Sequence, residues 1–448
     1  MNLYLFIGLL GLSLGSITVF APSDLQKTFQ SKYDKGIIPS SMGNFGNPPY
    51  GSFLTGQLII EDKSHSTACD PLPPMQGELA NSGSQIVMAN AGDCAFVVKV
   101  RNAQDIGAKA VIIVNDDDSD INKFIMTDNG AGGNLDIPAF IIRQEDGNLF
   151  YSYKSEERIT NIILCLGFEI NKSTKNEVSV TIWLQSSSDF AMTFLNDFSI
   201  FATNMPQMNF TPHYLTWECQ ICKQQNFVKA QEECISAGRY CSYDPDGYNP
   251  IKGQDVVLED LTELCVFNVS NTKKWFNYIS EFYKNCYLDF SRSCSNKVLK
   301  TVGVIKSAVD KCIKKSIEGD DLLVNDNRIM RNEFALWNNE MIPFNPAIII
   351  NNMLYRGDLE VDAVSKAICA SFTIENIPDI CKVGVVISED KSKGNFWIII
   401  LLLLVIALVI SILAVYRIWL NKELKHDIRL KVGAEVAQYF QMADLEKN

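Results

Sequence analysis

The sequence has little histidine and no excess of positive charge. Its three histidines, His65, His213 and His426, lie far apart among 448 residues. Zinc hydrolases, zinc fingers and RING-type ligases need His and Cys clustered at ligand spacing, and no such cluster occurs, so neither a metal nor another cofactor is expected. Lys and Arg number 40 against 52 Asp and Glu, a net charge of −12. That balance gives no basic face and argues against nucleic acid as a partner. Cysteine is missing after Cys381, although all 13 lie between Cys69 and Cys381. The asymmetry implies an oxidising compartment for most of the chain and a reducing one for its tail.

Two apolar runs set the topology. Residues 1–15 carry a short apolar core from Leu3 to Leu14 with small Ser13 and Gly15 at its end. The run is too short to span a bilayer and reads as a secretory signal peptide, with a buried strand as the alternative. Residues 396–416 are 21 residues without a charge. At about 1.5 Å per residue they reach roughly 30 Å, the hydrocarbon thickness, which predicts a single transmembrane helix. Trp397 and Trp419 stand where an interfacial aromatic belt belongs, and Arg417, Lys422, Lys425, Arg429 and Lys431 follow. The Lys/Arg excess places 417–448 in the cytosol and makes this a type I membrane protein. Three N-x-S/T sequons, at Asn171, Asn209 and Asn268, fall on the luminal side.

Between these runs the pattern is mixed α/β. The apolar stretch 85–89 reads as a strand, Asp93 as the opening of a helix presenting Phe96, Val97, Val100 and Ala103, Gly107 as its C′ residue, and 110–114 as a second strand. Strand, helix and strand in about 30 residues make a βαβ unit, and 137–142 adds another strand. The run Gly92-Asp93-Cys94-x-Phe96, with Asn102-Ala103 and Ile106-Gly107-Ala108, resembles a protease-associated (PA) domain, a noncatalytic module. Upstream, Gly43-Asn44-Phe45-Gly46 and Tyr50-Gly51 resemble the version found in vacuolar sorting receptors. The resemblance implies a Cys69–Cys94 disulfide. It also implies a site for the sorting peptides of soluble cargo at Asn44, Phe45, Gly46, Ala91, Gly92 and Asp93. The receptor pattern usually has Arg where Ala91 stands, and a methyl group cannot replace a planar guanidinium. The acidic run Asp116, Asp117, Asp118 and Asp120 lacks EF-hand spacing and reads as a solvated loop rather than a calcium site.

Further on, 177–184 alternates as a strand, a helix follows over 192–201, and 214–217 reads as a further strand. Asn345-Pro346 precedes an apolar strand at 347–350, then Asn351-Asn352 and a helical run over 361–369. That order resembles the second half of a thioredoxin fold, in which the proline is cis. A disulfide oxidoreductase places Cys-x-x-Cys at the first helix start, where the helix N-terminus lowers the thiol pKa. Here that place reads Ser186-Ser187-Ser188, and Cys219-x-x-Cys222 lies elsewhere and reads as structural. Ten cysteines, 219, 222, 234, 241, 265, 286, 294, 312, 369 and 381, are an even number suited to five disulfides of open pairing, which leaves Cys165 as a buried inert thiol.

The resemblance to vacuolar sorting receptors continues through Phe210-Thr211-Pro212-His213-Tyr214, Gly238-Arg239-Tyr240-Cys241, Gly253-x-Asp255-Val256-Val257, Asp310-Lys311-Cys312-Ile313 and Tyr355-Arg356-Gly357. It implies a PA domain over 16–172, a thioredoxin-like Cys-rich central domain with a helical insertion over 173–385, and no catalysis. Members commonly carry EGF-type repeats before the membrane; here only 382–395 separate Cys381 from the apolar run, so calcium control through such repeats is not expected. In the tail, Tyr439-x-x-Met442 fits a Tyr-x-x-(bulky apolar) sorting signal, held as an extended strand by the medium subunit of a clathrin adaptor. A short amphipathic helix on the membrane is the alternative. The expectation is a cargo receptor of Golgi, endosomal or prevacuolar membranes. A secretory-pathway thiol oxidoreductase or a chaperone-like membrane protein is the alternative. With only His65 and His213 in the lumen, any pH response there would rest on carboxylates.

Overall fold

The computed structural model describes residues 15–382, apart from 61–65, 75–82, 122–123, 129–131, 156–160, 174, 222–229, 247–250, 288 and 341. The long apolar run 396–416 and the tail with Tyr439 and Met442 lie outside the described residues. Among those described, no helix is long and apolar enough to cross a membrane.

The N-terminal lobe contains β1 (Gly15–Ala21), α1 (Ser23–Lys32), β2 (Ser40–Met42), β3 (Phe53–Ile60), β4 (Gln85–Asn90), α2 (Phe96–Asp105), β5 (Ala110–Val114), β6 (Ala139–Ile142), α3 (Gln144–Ser155) and β7 (Ile163–Phe168). They form a seven-stranded sheet in the order β1-β7-β3-β4-β5-β6-β2. The β3, β4, β5 and β6 pairs are parallel, and the flanking pairs antiparallel. Gly15, the last residue of the expected leader, already stands in β1, paired with Phe168. The central strands are continuous apolar runs because both faces are covered. Alternation sorts the side chains: Ile86, Met88, Ile112 and Phe140 pack with Phe29 of α1 and Phe150 of α3. Val87, Ala89, Val111 and Ile141 pack with Val97, Val100 and Ala103 of α2. The α1–α3 contact also carries charge. The wholly buried Asp146 carboxylate accepts from Tyr33 Oη at 2.7 Å and lies 2.8 Å from Lys32 Nζ and 3.4 Å from Arg143 Nε.

The second lobe begins with β8 (Val178–Leu184), α4 (Asp189–Thr203) and β9 (Met208–Tyr214), and passes α5 (Ala230–Glu233) and the small hairpin β10 (Cys234–Ile235) and β11 (Tyr240–Cys241). Five helices follow: α6 (Gly253–Val269), α7 (Thr272–Cys286), α8 (Arg292–Thr301), α9 (Lys306–Ser316) and α10 (Arg328–Glu340). It closes with β12 (Ala347–Ile350), β13 (Met353–Leu354), α11 (Val361–Ala370) and α12 (Asp379–Lys382). The sheet order is β13-β12-β8-β9, with β8 and β9 parallel and the others antiparallel. A parallel pair with its crossover helix, then a hairpin and a last helix, is the thioredoxin-like arrangement, and the five helices are an insertion between β9 and β12. The Asn345-Pro346 peptide is cis, as the resemblance implied. The two-residue turn Asn351-Asn352 has φ of +47° and +61°, a left-handed geometry that Asn tolerates and tight hairpins require.

Three local expectations are corrected. Helix α2 starts at Phe96 with Ala95 as its N-cap, not at Asp93. Gly92 and Asp93 instead occupy a left-handed turn, with φ of +88° and +65°. The strand expected over 214–217 ends at Tyr214, and Trp217 makes only a bridge to Cys241. Cys165 departs as well: it is unbonded as expected but only partly buried, because it alternates out from the core between Leu164 and Leu166.

Candidate functional site

The loop that leaves β2 is pinned by backbone bonds. Gly43 N donates to Ala139 O and Asn44 N to Met126 O, each at 2.9 Å. Phe45 is wholly buried among the side chains under α2, so it anchors the loop from inside and leaves Asn44 as the polar face. Gly46, at φ +74°, is required by its surroundings: a Cβ there would stand 2.3 Å from Ile137 O.

The second expected element is the turn at Ala91, Gly92 and Asp93. Ala91 N donates to Val114 O at 2.8 Å, which extends the β4–β5 ladder past the strand ends. Its methyl is half-buried against the same cluster as Phe45. The turn is held by Cys69–Cys94, formed as the resemblance implied, with a Cα separation of 5.8 Å. Lys99, which sequence reasoning missed, holds it from below. This lysine is wholly buried, and its Nζ donates to Gly92 O at 2.6 Å and Thr67 O at 2.8 Å. Burial pushes its pKa down, against the attraction of Asp93. Gly92 and Asp93 remain exposed at the rim.

The third element is the seam between the lobes. Tyr50 and Tyr355 pack ring to ring with centroids 5.6 Å apart. Asp358 N donates to Gly46 O at 2.8 Å, and Ser173 N to Ser371 O at 2.7 Å. Asn171 and Asn351 exchange side-chain to main-chain bonds at 3.0 and 2.9 Å. One buried apolar cluster runs through both lobes, from Phe168 and Tyr50 to Tyr355, Ile368 and Phe372. A cleft of about 270 Å³ opens at this seam, lined by Asn44, Thr127 and Asp128 from one side and by the cis-proline segment, Tyr355 and Asp358 from the other. Asn44 therefore meets the second lobe, whereas Ala91, Gly92 and Asp93 are not among the cleft's lining residues. The Asp358 carboxyl is pushed up to about 7, chiefly by burial, then by Glu360, with Asp128 and Asp136 adding to it and a Gly46 backbone bond opposing. Arg356 is 2% exposed, with its guanidinium 5.3 Å above the Phe344 ring and Nη1 without a hydrogen-bond partner among the described residues. Burial lowers its pKa to about 10.

The place where an oxidoreductase would carry its thiols is closed. Ser188 caps α4, its Oγ accepting from Ala191 N at 3.3 Å. Ser186 is wholly buried, and its N–H donates to Asp260 Oδ1 of α6 at 2.9 Å. The inserted helices thus lie over the first turn of α4. The described cysteines of this lobe are bonded as Cys234–Cys241, Cys265–Cys312, Cys286–Cys294 and Cys369–Cys381. Cys219 is also in a disulfide, and Cys222 lies outside the described residues. Of the sequon residues, Asn171, Asn209 and Asn268 are all exposed.

Comparison with known proteins agrees with this two-lobe organisation. The family model of the vacuolar sorting receptor thioredoxin-like domain matches residues 174–369, and that of the PA domain matches residues 54–150. Vacuolar-sorting receptor 1 of Pisum sativum is 28% identical over 429 residues, 88% of this chain and 66% of the relative. Vacuolar-sorting receptor 3 of Arabidopsis thaliana is 29% identical, over 81% of this chain and 62% of the relative. Vacuolar-sorting receptor 7 of Arabidopsis thaliana is 30% identical, over 85% of this chain and 63% of the relative. The chain thus spans somewhat less than two thirds of the length of these relatives, with both lobes inside the matched part. Across both lobes the chain is similar to vacuolar-sorting receptors.

Proposed function

We propose that the protein is a type I membrane receptor that binds soluble vacuolar or lysosomal proteins in the Golgi or endosomal lumen and recruits a coat adaptor through its tail. The observation that carries the reading is the similarity to vacuolar-sorting receptors across both lobes. Three features support it. The 396–416 run has the length and apolarity of a single span. The disulfides brace the lobes for an oxidising lumen. Tyr439-x-x-Met442 suits the extended-strand mode in which an adaptor medium subunit takes a phenol and a thioether into separate pockets. The oxidoreductase alternative is disfavoured because Ser186 and Ser188 stand where a reactive thiol belongs and Ser186 is buried under α6. On this reading the protein performs no catalysis, and Asn171, Asn209 and Asn268 are luminal glycosylation sites.

The test is made in cells with the full chain. Loss of the protein should send soluble vacuolar or lysosomal hydrolases into the medium. Tyr439→Ala and Met442→Ala should each move the receptor toward the cell surface or hold it in the Golgi. Hydrolases retained after loss of the protein would remove the receptor reading. Unchanged location of both tail variants would remove the adaptor step alone.

A further inference from the structure

The buried Lys99 makes no ion pair among the described residues, yet all three of its ammonium protons have an acceptor. Two go to the Gly92 and Thr67 carbonyls, and the third faces Cys69 Sγ of the Cys69–Cys94 bridge at 3.3 Å. The same two carbonyls lie 3.8 Å from that sulfur, each already taking a lysine proton. A bonded sulfur is only a weak acceptor, so the interior holds a cation without an anion beside it, a costly arrangement. Breaking the S–S bond would put a thiolate at that spot, the counter-ion the lysine lacks. The Cys69 segment would stay in place, because Asn90 N donates to Ser66 O at 2.7 Å and Asn102 Nδ2 to Ala68 O at 2.9 Å. Cys94 has less help: helix α2 begins only at Phe96, and a helix dipole does less for a thiolate than an ammonium at hydrogen-bond distance. Two other bonded sulfurs meet carbonyl oxygens instead, Cys294 Sγ at 3.4 Å from Asn285 O and Cys241 Sγ at 3.5 Å from Gly238 O, and these offer a thiolate no proton. Cys69 and Cys94 are both partly exposed, so a thiol can reach them.

We propose that Cys69–Cys94 is a thiol–disulfide exchange site, opened by a dithiol reductant, with Cys94 the attacked sulfur and Cys69 the leaving thiolate held by Lys99. The first thiolate of the reductant attacks Cys94 Sγ. The S–S bond breaks, and its electron pair leaves on Cys69 Sγ, facing the Lys99 ammonium. A sulfur whose thiolate is stabilised leaves faster, which sets the direction of attack. The reductant's second thiolate then attacks its own bonded sulfur, and Cys94 departs and takes a proton from water. Two electrons thus pass from the dithiol, which becomes a disulfide, to the two cysteines. Lys99 is a positioning residue in this exchange, since it acts through Cys69. Opening the bridge unties the left-handed Gly92–Asp93 turn from the segment at Thr67–Cys69, so the exposed rim of the first lobe answers to the redox poise around it. The inference goes beyond the receptor reading and stands or falls without it.

The experiment equilibrates the full chain in nanodiscs with mixtures of reduced and oxidised dithiothreitol at about pH 7, blocks free thiols with iodoacetamide and locates them by peptide mass spectrometry. The internal control is Cys369–Cys381, which is also partly exposed and has no lysine or arginine nitrogen on its sulfurs among the described residues. Cys69–Cys94 should open in a mixture roughly tenfold less reducing than the control needs, the scale of a one-unit fall in a thiol's pKa. Lys99→Met should remove that advantage while the thermal melt shows a folded protein. Two measurements on the parent chain stand apart from the variant. Glutathione adducts quenched in acid should sit on Cys94, and in the reduced chain Cys69 should be alkylated at lower pH than Cys94. Opening no easier than that of Cys369–Cys381, adducts on Cys69, or an unchanged midpoint in folded Lys99→Met would each overturn the assignment. If Lys99→Met does not fold, the adduct position and the alkylation order in the parent decide it.

Discussion

The Tyr50 hydroxyl donates to the Arg356 carbonyl oxygen at 3.0 Å and accepts from the Arg356 backbone N–H at 2.9 Å. One phenol thus satisfies both main-chain groups of a buried residue 306 positions away. Tyr50→Phe keeps the ring against Tyr355 but leaves an N–H and a C=O buried and unpaired. Each such loss costs about 1–3 kcal/mol, so the variant should lose roughly 2–6 kcal/mol in urea unfolding followed by far-UV circular dichroism. A change below the error of that measurement would mean that the seam does not hold the lobes together.

Gly357 meets the same seam from the other lobe. Its φ is +121°, and a Cβ would stand 2.7 Å from Pro48 Cδ and 2.8 Å from Gly46 O. Gly357→Ala should therefore lose about 1–3 kcal/mol from the backbone alone, and more from the clash. Gly303, at φ +68° with nothing within 4 Å, is the control. Gly303→Ala carries the backbone strain without the clash and should be milder in the same unfolding assay. Equal losses would show that the approach at Gly357 relaxes freely.

These two residues mark how far the sequence can be read. Tyr50-Gly51 and Tyr355-Arg356-Gly357 are legible as motifs, yet nothing in their spacing says that they face each other. The strands 85–90 and 110–114 are legible because burial on both faces leaves continuous apolar runs. The Asn351-Asn352 turn is legible because few residues suit its left-handed geometry. The start of α2 is not legible: Asp93 looks like a helix opener, but Gly92 and Asp93 turn left-handed over a buried lysine whose partners come from two other segments. The cleft is half legible. Asn44 stands out in a motif, whereas Asp128, Phe190 and Asp358 come together only through tertiary packing.

The Cys265–Cys312 bridge, which ties α6 to α9, closes the longest loop among the disulfides described, 47 residues apart. Loop-closure entropy puts its contribution at about 4 kcal/mol. Cys265→Ala with Cys312→Ala should lower stability by an amount of that order, because Cys265 is also wholly buried. The Cys286–Cys294 bridge spans 8 residues, and its removal should cost less, about 2.5 kcal/mol. Urea midpoints of the two double variants check the order. The reverse order would assign the stabilisation to local packing rather than to chain entropy.

Helix α6 places Glu259, Asp260 and Glu263 in the interior. Glu259 accepts from Tyr278 Oη at 2.6 Å and Ser295 Oγ at 2.5 Å, Asp260 from Ser186 N, and Glu263 from Tyr214 Oη. Asp260 Oδ2 and Glu263 Oε1 have no partner among the described residues. Burial pushes Asp260 up to about 7, with Glu259 and Glu333 adding to it and the Ser186 bonds opposing. Burial likewise pushes Glu259 up to about 7 against Ser295, Tyr278 and Arg292, and raises Glu263 well above the usual carboxylate range. A carboxyl whose folded pKa lies above its unfolded one, near 4, holds its proton more tightly when folded. Its stabilisation is complete below about pH 4 and is lost as pH rises through about 7. The lobe should therefore gain stability on acidification from neutrality, by about 1.4 kcal/mol per pH unit for each proton taken up. Thermal melts between about pH 7.5 and 5 should move upward, the reverse of ordinary acid weakening. Asp260→Asn, which cannot titrate but can still accept from Ser186 N, should flatten that slope. Melting temperatures that fall over this range, or an Asp260→Asn slope equal to the parent's, would show that these acids are not the groups that answer to pH.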